Sequence, residues 1–583
     1  MTLPADSQGV PRTPAQHDPR SPEVLPAAGE GSRWPVAVLV LLALLQLGLV
    51  FRVNFNWDEF AYLGRIYEYL RDEPTSTWQR FHVHLFGWLT RIPGDEISQL
   101  IAGRLASFAA EVATLALAYR LGRRFLSRRH AAFGVAAVLS SEYVLRHGFS
   151  FRPDPFCLAL FLAAANLLLA ERRLGLAAAL AGAAGALALM LTLKSIFLLA
   201  ALVGLIATRW IRRPRVEARR ALAFLLSALV VGTALYLYHR ASLPPASTDP
   251  MVHSDLPGTA NAMLLPEHLF PRWQYLAASL QQSMLVWIAV LAGLAMAIFG
   301  WRRGREEALL LPLAFPLATL VFYRNAWPYY YALVLVPLAG FAGLSLARLK
   351  AWVGSSRLRA LRVLPGVLWC GIAITYSTHF LGHVADETLA QRQLVQAVHH
   401  LFPEPVRYLD RCSMIGSFPK VGFFMSTLGV QRYWELRRPV MAELLRTKAP
   451  VFLLANSEGL ELDVPEELAR RSLFALRPED RQVLRQNFVR HWGSLWLAGK
   501  TLRLDATGAT DFEILVGGPY TVEAAAPMRV DEQLVGPGAV VKLVPGSHCA
   551  DQGRCGEVVI LRWGDHLPRP AQPPVRQPLF TLF

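Results

Sequence analysis

Residues 34–59 read WPVAVLVLLALLQLGLVFRVNFNWDE: eighteen residues without a formal charge, then an arginine, an aspartate and a glutamate within the next eight. The uncharged run approaches the roughly 20 residues that a helix needs to cross a bilayer core. It lacks a small-residue cleavage site, so it predicts a retained first span and not a removed signal. Comparable runs recur at about 100–118, 131–145, 155–170, 174–191, 192–208, 221–238, 284–300, 308–323, 328–346 and 363–378, and none follows Thr378. The pattern predicts a polytopic α-helical membrane protein of about eleven transmembrane helices. Composition agrees. Hydrophobic residues make up 53% of the chain, charged residues only 17%, and the mean hydropathy is +0.32, each displaced from a soluble average.

The polar connections alternate in charge. Residues 119–130, 171–173, 209–220, 301–307 and 347–362 hold 21 Lys or Arg in 50 residues, and the opposite connections hold about half as many in roughly twice the length. The positive-inside rule makes the basic links cytoplasmic. Parity then places 52–99, 146–154, 239–283, 324–327 and everything from about 379 outside. The expected organisation is a disordered cytoplasmic tail (1–33), a transmembrane domain (34–378) and a soluble extracytoplasmic mixed α/β domain (379–583). That last domain has a β-rich end of short alternating runs between Gly/Pro turns. The formal charge of +16 is concentrated in the cytoplasmic links, without a basic face interleaved with aromatics. This argues against nucleic acid and for anionic lipid headgroups, a polyprenyl phosphate among them. Cys549 and Cys555 flank a polar turn where a disulfide would suit an oxidising compartment, and no Cys or His spacing predicts a metal site.

Ionisable residues at the outer ends of spans are the informative ones, because charge at membrane depth is costly. Four stretches qualify. Asn56-Trp57-Asp58-Glu59 sets two carboxylates beside an aromatic anchor, read either as a general base or as a helix cap. Phe151-Arg152-Pro153-Asp154-Pro155 offers a second acid and a phosphate-binding guanidinium, or again a cap before proline. Lys194 is a lone cation in an apolar stretch, a snorkelling lysine or a phosphate partner. The turn Tyr323-Arg324-Asn325-Ala326-Trp327-Pro328-Tyr329-Tyr330-Tyr331 carries one arginine in an aromatic belt. Beside the first stretch, Phe60, Leu63, Tyr67 and Leu70 recur at helical spacing. They fit an amphipathic helix in the membrane interface or one packed on the bundle. All four charged stretches fall on one face, where a base and cations could serve transfer from a lipid phosphate.

In this order the stretches resemble the membrane-embedded GT-C glycosyltransferases, in particular the aminoarabinose transferase and protein O-mannosyltransferase branch. Asp58-Glu59 is similar to that family's acidic pair in the first outer loop. His82-Val83-His84-Leu85 stands where relatives have a His/Lys-Pro-Pro-Leu stretch, without its prolines. Arg104-Leu105-Ala106-Ser107, Arg152-Pro153-Asp154, Leu191-Thr192-Leu193-Lys194 and Pro328-Tyr329-Tyr330-Tyr331 resemble successive family motifs over residues 34–346. Ser195 stands in place of a glycine. The resemblance implies inverting transfer from a polyprenyl-phosphate sugar to a lipid, glycan or protein acceptor outside a bacterial inner membrane. Asp58 is then the base, with Glu59 or Asp154 in support, and Lys194, Arg324 and Arg152 hold the donor phosphate. His82, His84, Tyr329 and Tyr330 line the pocket. Some relatives use a divalent cation, for which the sequence itself gives no sign. The rival readings are a transporter or flippase of lipid-linked sugars, disfavoured by the lack of an internal repeat, and a surface-glycan polymerase or ligase.

Overall fold

The computed structural model describes residues 33–73, 80–171, 173–212, 214–244, 263–264, 268–505, 508–551 and 557–581. Residues 1–32 of the expected tail, 245–262 and 265–267 of the 239–283 loop, and Cys555 lie outside these residues. The first half of the chain is helical: α1 (Trp34–Leu49), α2 (Trp57–Leu70), α3 (His82–Phe86), α4 (Glu96–Gly122), α5 (Arg128–Leu139), α6 (Glu142–His147), α7 (Pro153–Leu168), α8 (Leu174–Leu191), α9 (Ser195–Arg212) and α10 (Pro214–Ser242). Among the described residues six helices are long and apolar enough to span a membrane: α4, α8, α10, Met284–Arg302, Pro328–Ser355 and Ala360–Gly382. Trp34–Leu49, Pro153–Leu168 and Ser195–Ile211 are shorter apolar helices. The chain is thus a multi-pass membrane protein, but the count of eleven is not reached by helices of spanning length. The expected span 131–145 is the twelve-residue α5 followed by α6. The span expected at 308–323 is a succession of 3-10 and short α segments. Pro312 and Pro316 lie inside it, and each removes a backbone donor and obstructs the preceding turn.

Burial orders the bundle. The apolar window of Pro328–Ser355 is 83% buried, against 6% for α10 and 11% for Ala360–Gly382, so the first is its core and the other two face lipid. The core helix touches α5 almost backbone to backbone. A Cβ on Gly134 would lie 2.0 Å from the Ala339 carbonyl oxygen, and one on Gly343 would lie 2.5 Å from that of His130. Small residues allow this approach where lipid offers no hydrophobic gain.

Beyond His383 the chain forms a mixed α/β domain. One sheet runs β10 (Val540–Leu543), β7 (Gly518–Glu523), β12 (Val558–Trp563), β5 (Leu495–Arg503), β3 (Phe452–Leu454), β1 (Tyr408–Leu409), β2 (Lys420–Val421), with β4 (Phe488–Trp492) paired to β5. The β1–β2 and β1–β3 pairings are parallel, and the other strand pairings of this sheet among the described residues are antiparallel. A second, antiparallel sheet runs β6 (Ala509–Ile514), β11 (Gly546–Asp551), β8 (Met528–Val530), β9 (Gln533–Val535).

Helix α2 lies between bundle and domain. Phe60, Leu63 and Ile66 share one buried cluster with Leu394, Val398, Met414 and Ile415. Gly64 is needed there, since a Cβ would meet that of Ser413 at 2.4 Å. Of the two readings left open for this helix, packing is the one observed. A strap from the distal chain closes the same junction. Asn54 Nδ2 and Gln391 Nε2 donate to the Leu579 carbonyl at 3.2 and 2.6 Å, and Arg146 donates to Thr581 Oγ1 at 2.5 Å.

An ionic anchor stands nearby. His383 bridges Glu142 (2.6 Å) and Glu387 (3.1 Å). Burial opposes its charge, but the two carboxylates raise its pKa from 6.5 to about 9. A raised folded pKa means that its contribution to stability is complete below about pH 6.5 and is lost as pH rises through about 9. The thermal midpoint of the wild type is therefore expected to fall over that interval, and to fall less in His383→Gln. Parallel curves for the two proteins would rule out this anchor.

Candidate active site

The first acidic stretch is shaped by a cap two residues earlier than Asp58. Asn56 is the N-cap of α2, its side chain accepting from the Asp58 amide at 2.9 Å, while Glu59 at N3 accepts from the Asn56 amide at 2.9 Å. This reciprocal box divides the roles of the two acids. Glu59 is 0% exposed and takes a forked pair of bonds from Arg104 (2.7 and 2.6 Å) and one from the Phe151 amide (2.8 Å). Arg104 also donates to the carbonyls of Val50, Val53 and Asn54 and stacks on Phe55 at 3.9 Å. Glu59, expected among the catalytic carboxylates, ties α2 to α4 and to the 151 turn.

Asp58 faces the other way. One of its oxygens accepts from Arg152, and the other makes no hydrogen bond among the described residues. Arg152 is the N-cap of α7, with Pro153 opening the helix and Asp154 in its first turn. The Arg152 Nε donates to Asp154 at 3.1 Å. Asp154 in turn pairs with Lys194 at 2.6 Å. Lys194 is not inside a span: α8 stops at Leu191, Thr192 is extended (φ −155°), and α9 begins at Ser195. The break turns the ammonium towards Asp154. Tyr329 lies beneath both cations, its ring 3.4 Å from the Arg152 guanidinium and 4.8 Å from Lys194. Asp58, Arg152, Asp154, Lys194 and Tyr329 therefore form one continuous constellation.

The remaining expected residues are less central. His82 is buried behind the site, bonded to the Tyr62 carbonyl at 3.2 Å, and burial with Arg65 and Arg80 holds its pKa well below 6.5. His84 is drawn to His239 (2.8 Å) and packs at a tilt against Tyr238. Tyr330 bonds to Thr319 at 2.6 Å and packs on Tyr323. Arg324 is held through its main chain by Met263 and Arg272.

Other participants gave little sequence signal. A narrow recess, partly open to solvent, extends from Arg152 and Asp154 between Glu111, Thr114, His147 and Tyr329. Tyr62 faces Arg152 at 5.8 Å, its phenol pushed up to about 12 by burial. Arg411 of the C-terminal domain stacks on Trp57 at 4.4 Å, directly beside Asp58 in the chain. For a divalent cation the carboxylates present do not fit. Asp58 and Asp154 are each already paired to Arg152 or Lys194, and no group of three His, Cys, Asp or Glu able to hold a metal occurs among the described residues.

The family profile described as dolichyl-phosphate-mannose-protein mannosyltransferase matches residues 84–237. Solved structures with a similar course include ArnT from Cupriavidus metallidurans in the apo state (16% identity, 72% of this chain and 91% of that one, TM-score 0.49). The same protein bound to undecaprenyl phosphate gives 16% identity, 73% and 93% coverage and a TM-score of 0.48. The Archaeoglobus fulgidus oligosaccharyltransferase tethered with an acceptor peptide gives 11%, 91% and 96%, and 0.47. No curated protein sequence matches the chain.

Proposed function

We propose that this chain, a membrane-embedded glycosyltransferase of the GT-C type, moves a sugar from a polyprenyl-phosphate donor to an acceptor outside a bacterial inner membrane, with inversion. The observation that carries the reading is the chain of pairs from Asp58, one oxygen unengaged among the described residues, through Arg152 and Asp154 to Lys194 over Tyr329. Asp58 takes the proton from the acceptor hydroxyl or amine. The acceptor's electron pair forms the new bond to the anomeric carbon. On the opposite side the bond from that carbon to the phosphate oxygen breaks, its electrons leaving on the polyprenyl phosphate. Arg152 and Lys194, both largely buried, stabilise the charge that develops there. Asp154 touches both cations and positions them. The C-terminal domain is extracytoplasmic on this reading, as the basic links demand.

The test is mass spectrometry of envelope lipids, glycans and glycoproteins from a strain lacking the gene. One sugar substituent is expected to disappear and to return with the wild-type gene. An unchanged envelope inventory would overturn the assignment.

A further inference from the structure

The C-terminal domain opens with the helix Leu389–Leu401, and a histidine pins each end of it to the bundle. Ahead of its start, His383 stands between Glu142 of α6 and Glu387, at 2.6 and 3.1 Å. In its last turn His399 meets Glu96, the first residue of α4, at 2.7 Å. Glu96 also accepts from the Ser417 amide at 3.0 Å and from its hydroxyl at 2.5 Å. Between the two pins the helix grips the segment that leads into α2. Gln391 accepts from the Phe55 amide at 2.9 Å and donates to the Phe55 carbonyl at 2.8 Å. Leu394, Val395 and Val398 share the buried cluster of Phe55, Phe60 and Leu63. Phe55 precedes Asn56, the cap that sets Asp58, so the seat of Asp58 depends on where this helix lies.

Both pins depend on a proton. Around His383 stand Glu142 and Glu387, with Arg146 at 3.7 Å from Glu387 and His379 at 3.7 Å from Glu142. His147 also lies within range of its charge, and Arg52 donates to the neighbouring Val384 carbonyl. Around His399 stand Asp95 and Glu96 at the head of α4, Phe418 edge-on at 5.3 Å, and His400 beside it in the chain. From α2, Tyr67 is bonded to Gln99 at 2.9 Å, and the Arg71 that follows the helix is bonded to Glu73 at 2.7 Å. No Lys or Arg lies within 4.0 Å of the carboxylates of Glu96 or Glu142 among the described residues, so each relies on an imidazolium. The bond to Glu96 raises the His399 pKa above 6.5, although burial opposes it. A group of this kind stabilises fully below its unfolded pKa and ceases to as pH rises through the folded one. Glu96, 1% exposed, is then a buried charge without a counter-charge, which is costly.

We infer that the helix Leu389–Leu401 is a proton-controlled latch, closed on Phe55 and α2 while His383 and His399 are charged and released when both are neutral. Release loosens the junction and unseats Asp58, so transfer switches off at alkaline pH. That consequence rests on the functional reading above, whereas the latch itself does not.

The test is hydrogen–deuterium exchange of the full-length protein in detergent at about pH 6 and about pH 10, with labelling times scaled to the intrinsic exchange rates. Peptides covering 389–401 and 55–66 are expected to lose protection at least about tenfold at the higher pH, while 339–353 of the core helix keep theirs. His383→Gln combined with His399→Gln should show the weaker protection at both values. Equal protection of wild-type 389–401 at the two values, or the wild-type response in the double variant, would overturn the latch. So would a matching loss of protection in 339–353, which is global unfolding. Should the double variant fail to fold, His399→Gln alone decides, with an undiminished response counting against the latch. No sugar transfer is measured, so a failure of the glycosyltransferase reading leaves this result standing.

Discussion

Asp58→Asn is expected to reduce transfer by about 10²- to 10⁴-fold, the range contributed by a positioned general base. The amide is nearly isosteric and its oxygen can still accept from Arg152, so the constellation around Asp154 and Lys194 should persist. What is lost is the proton acceptor. The loss should therefore appear in turnover with a labelled lipid-linked sugar, and hardly in the affinity for undecaprenyl phosphate or in the thermal midpoint. Turnover within a factor of ten of the wild type would exclude Asp58 as the base. A fall in donor affinity equal to the fall in turnover would recast it as a binding residue.

The second large effect concerns stability. Arg104→Ala leaves Glu59, which is 0% exposed, without its forked partner. Removing one member of a buried pair costs about 3–5 kcal/mol, and here three carbonyls lose their donor too. That is a large fraction of a typical folding free energy. The variant is expected to give little monodisperse protein on size-exclusion chromatography in detergent. Arg104→Lys should rescue only partly, because an ammonium cannot reproduce the fork. Arg446→Ala is the contrast: its pair with Glu513 at 3.0 Å is half exposed on both sides, and such pairs are worth under about 1 kcal/mol. Similar yields for Arg104→Ala and Arg446→Ala would refute the structural role given to Arg104.

What could be read from the residues follows from this division of labour. Asp58, Arg152, Asp154 and Lys194 are legible because ionisable residues at span ends are few and charge parity sets them on one face. The split between Asp58 and Glu59 is not legible. It depends on the cap falling at Asn56 and on a partner 45 residues away. Arg104 itself stands out as a charge inside an apolar run, but only its neighbours reveal that it holds backbone and not substrate. Arg411 has no local signature, because Trp57 and Phe474 become its neighbours only through domain docking. Hydropathy does not show where an apolar stretch breaks for a similar reason: the run with Pro312 and Pro316 reads as one span by composition yet cannot continue as one helix.

The strap through Leu579 and Thr581 has a consequence for biogenesis. Its contacts with Asn54 join positions 525 and 527 residues apart, so the junction that holds α2 is completed only after nearly the whole sequence has been translated. Contacts of such long range form late. A chain released before position 579 would leave the bundle inserted with the junction around α2 lacking these contacts.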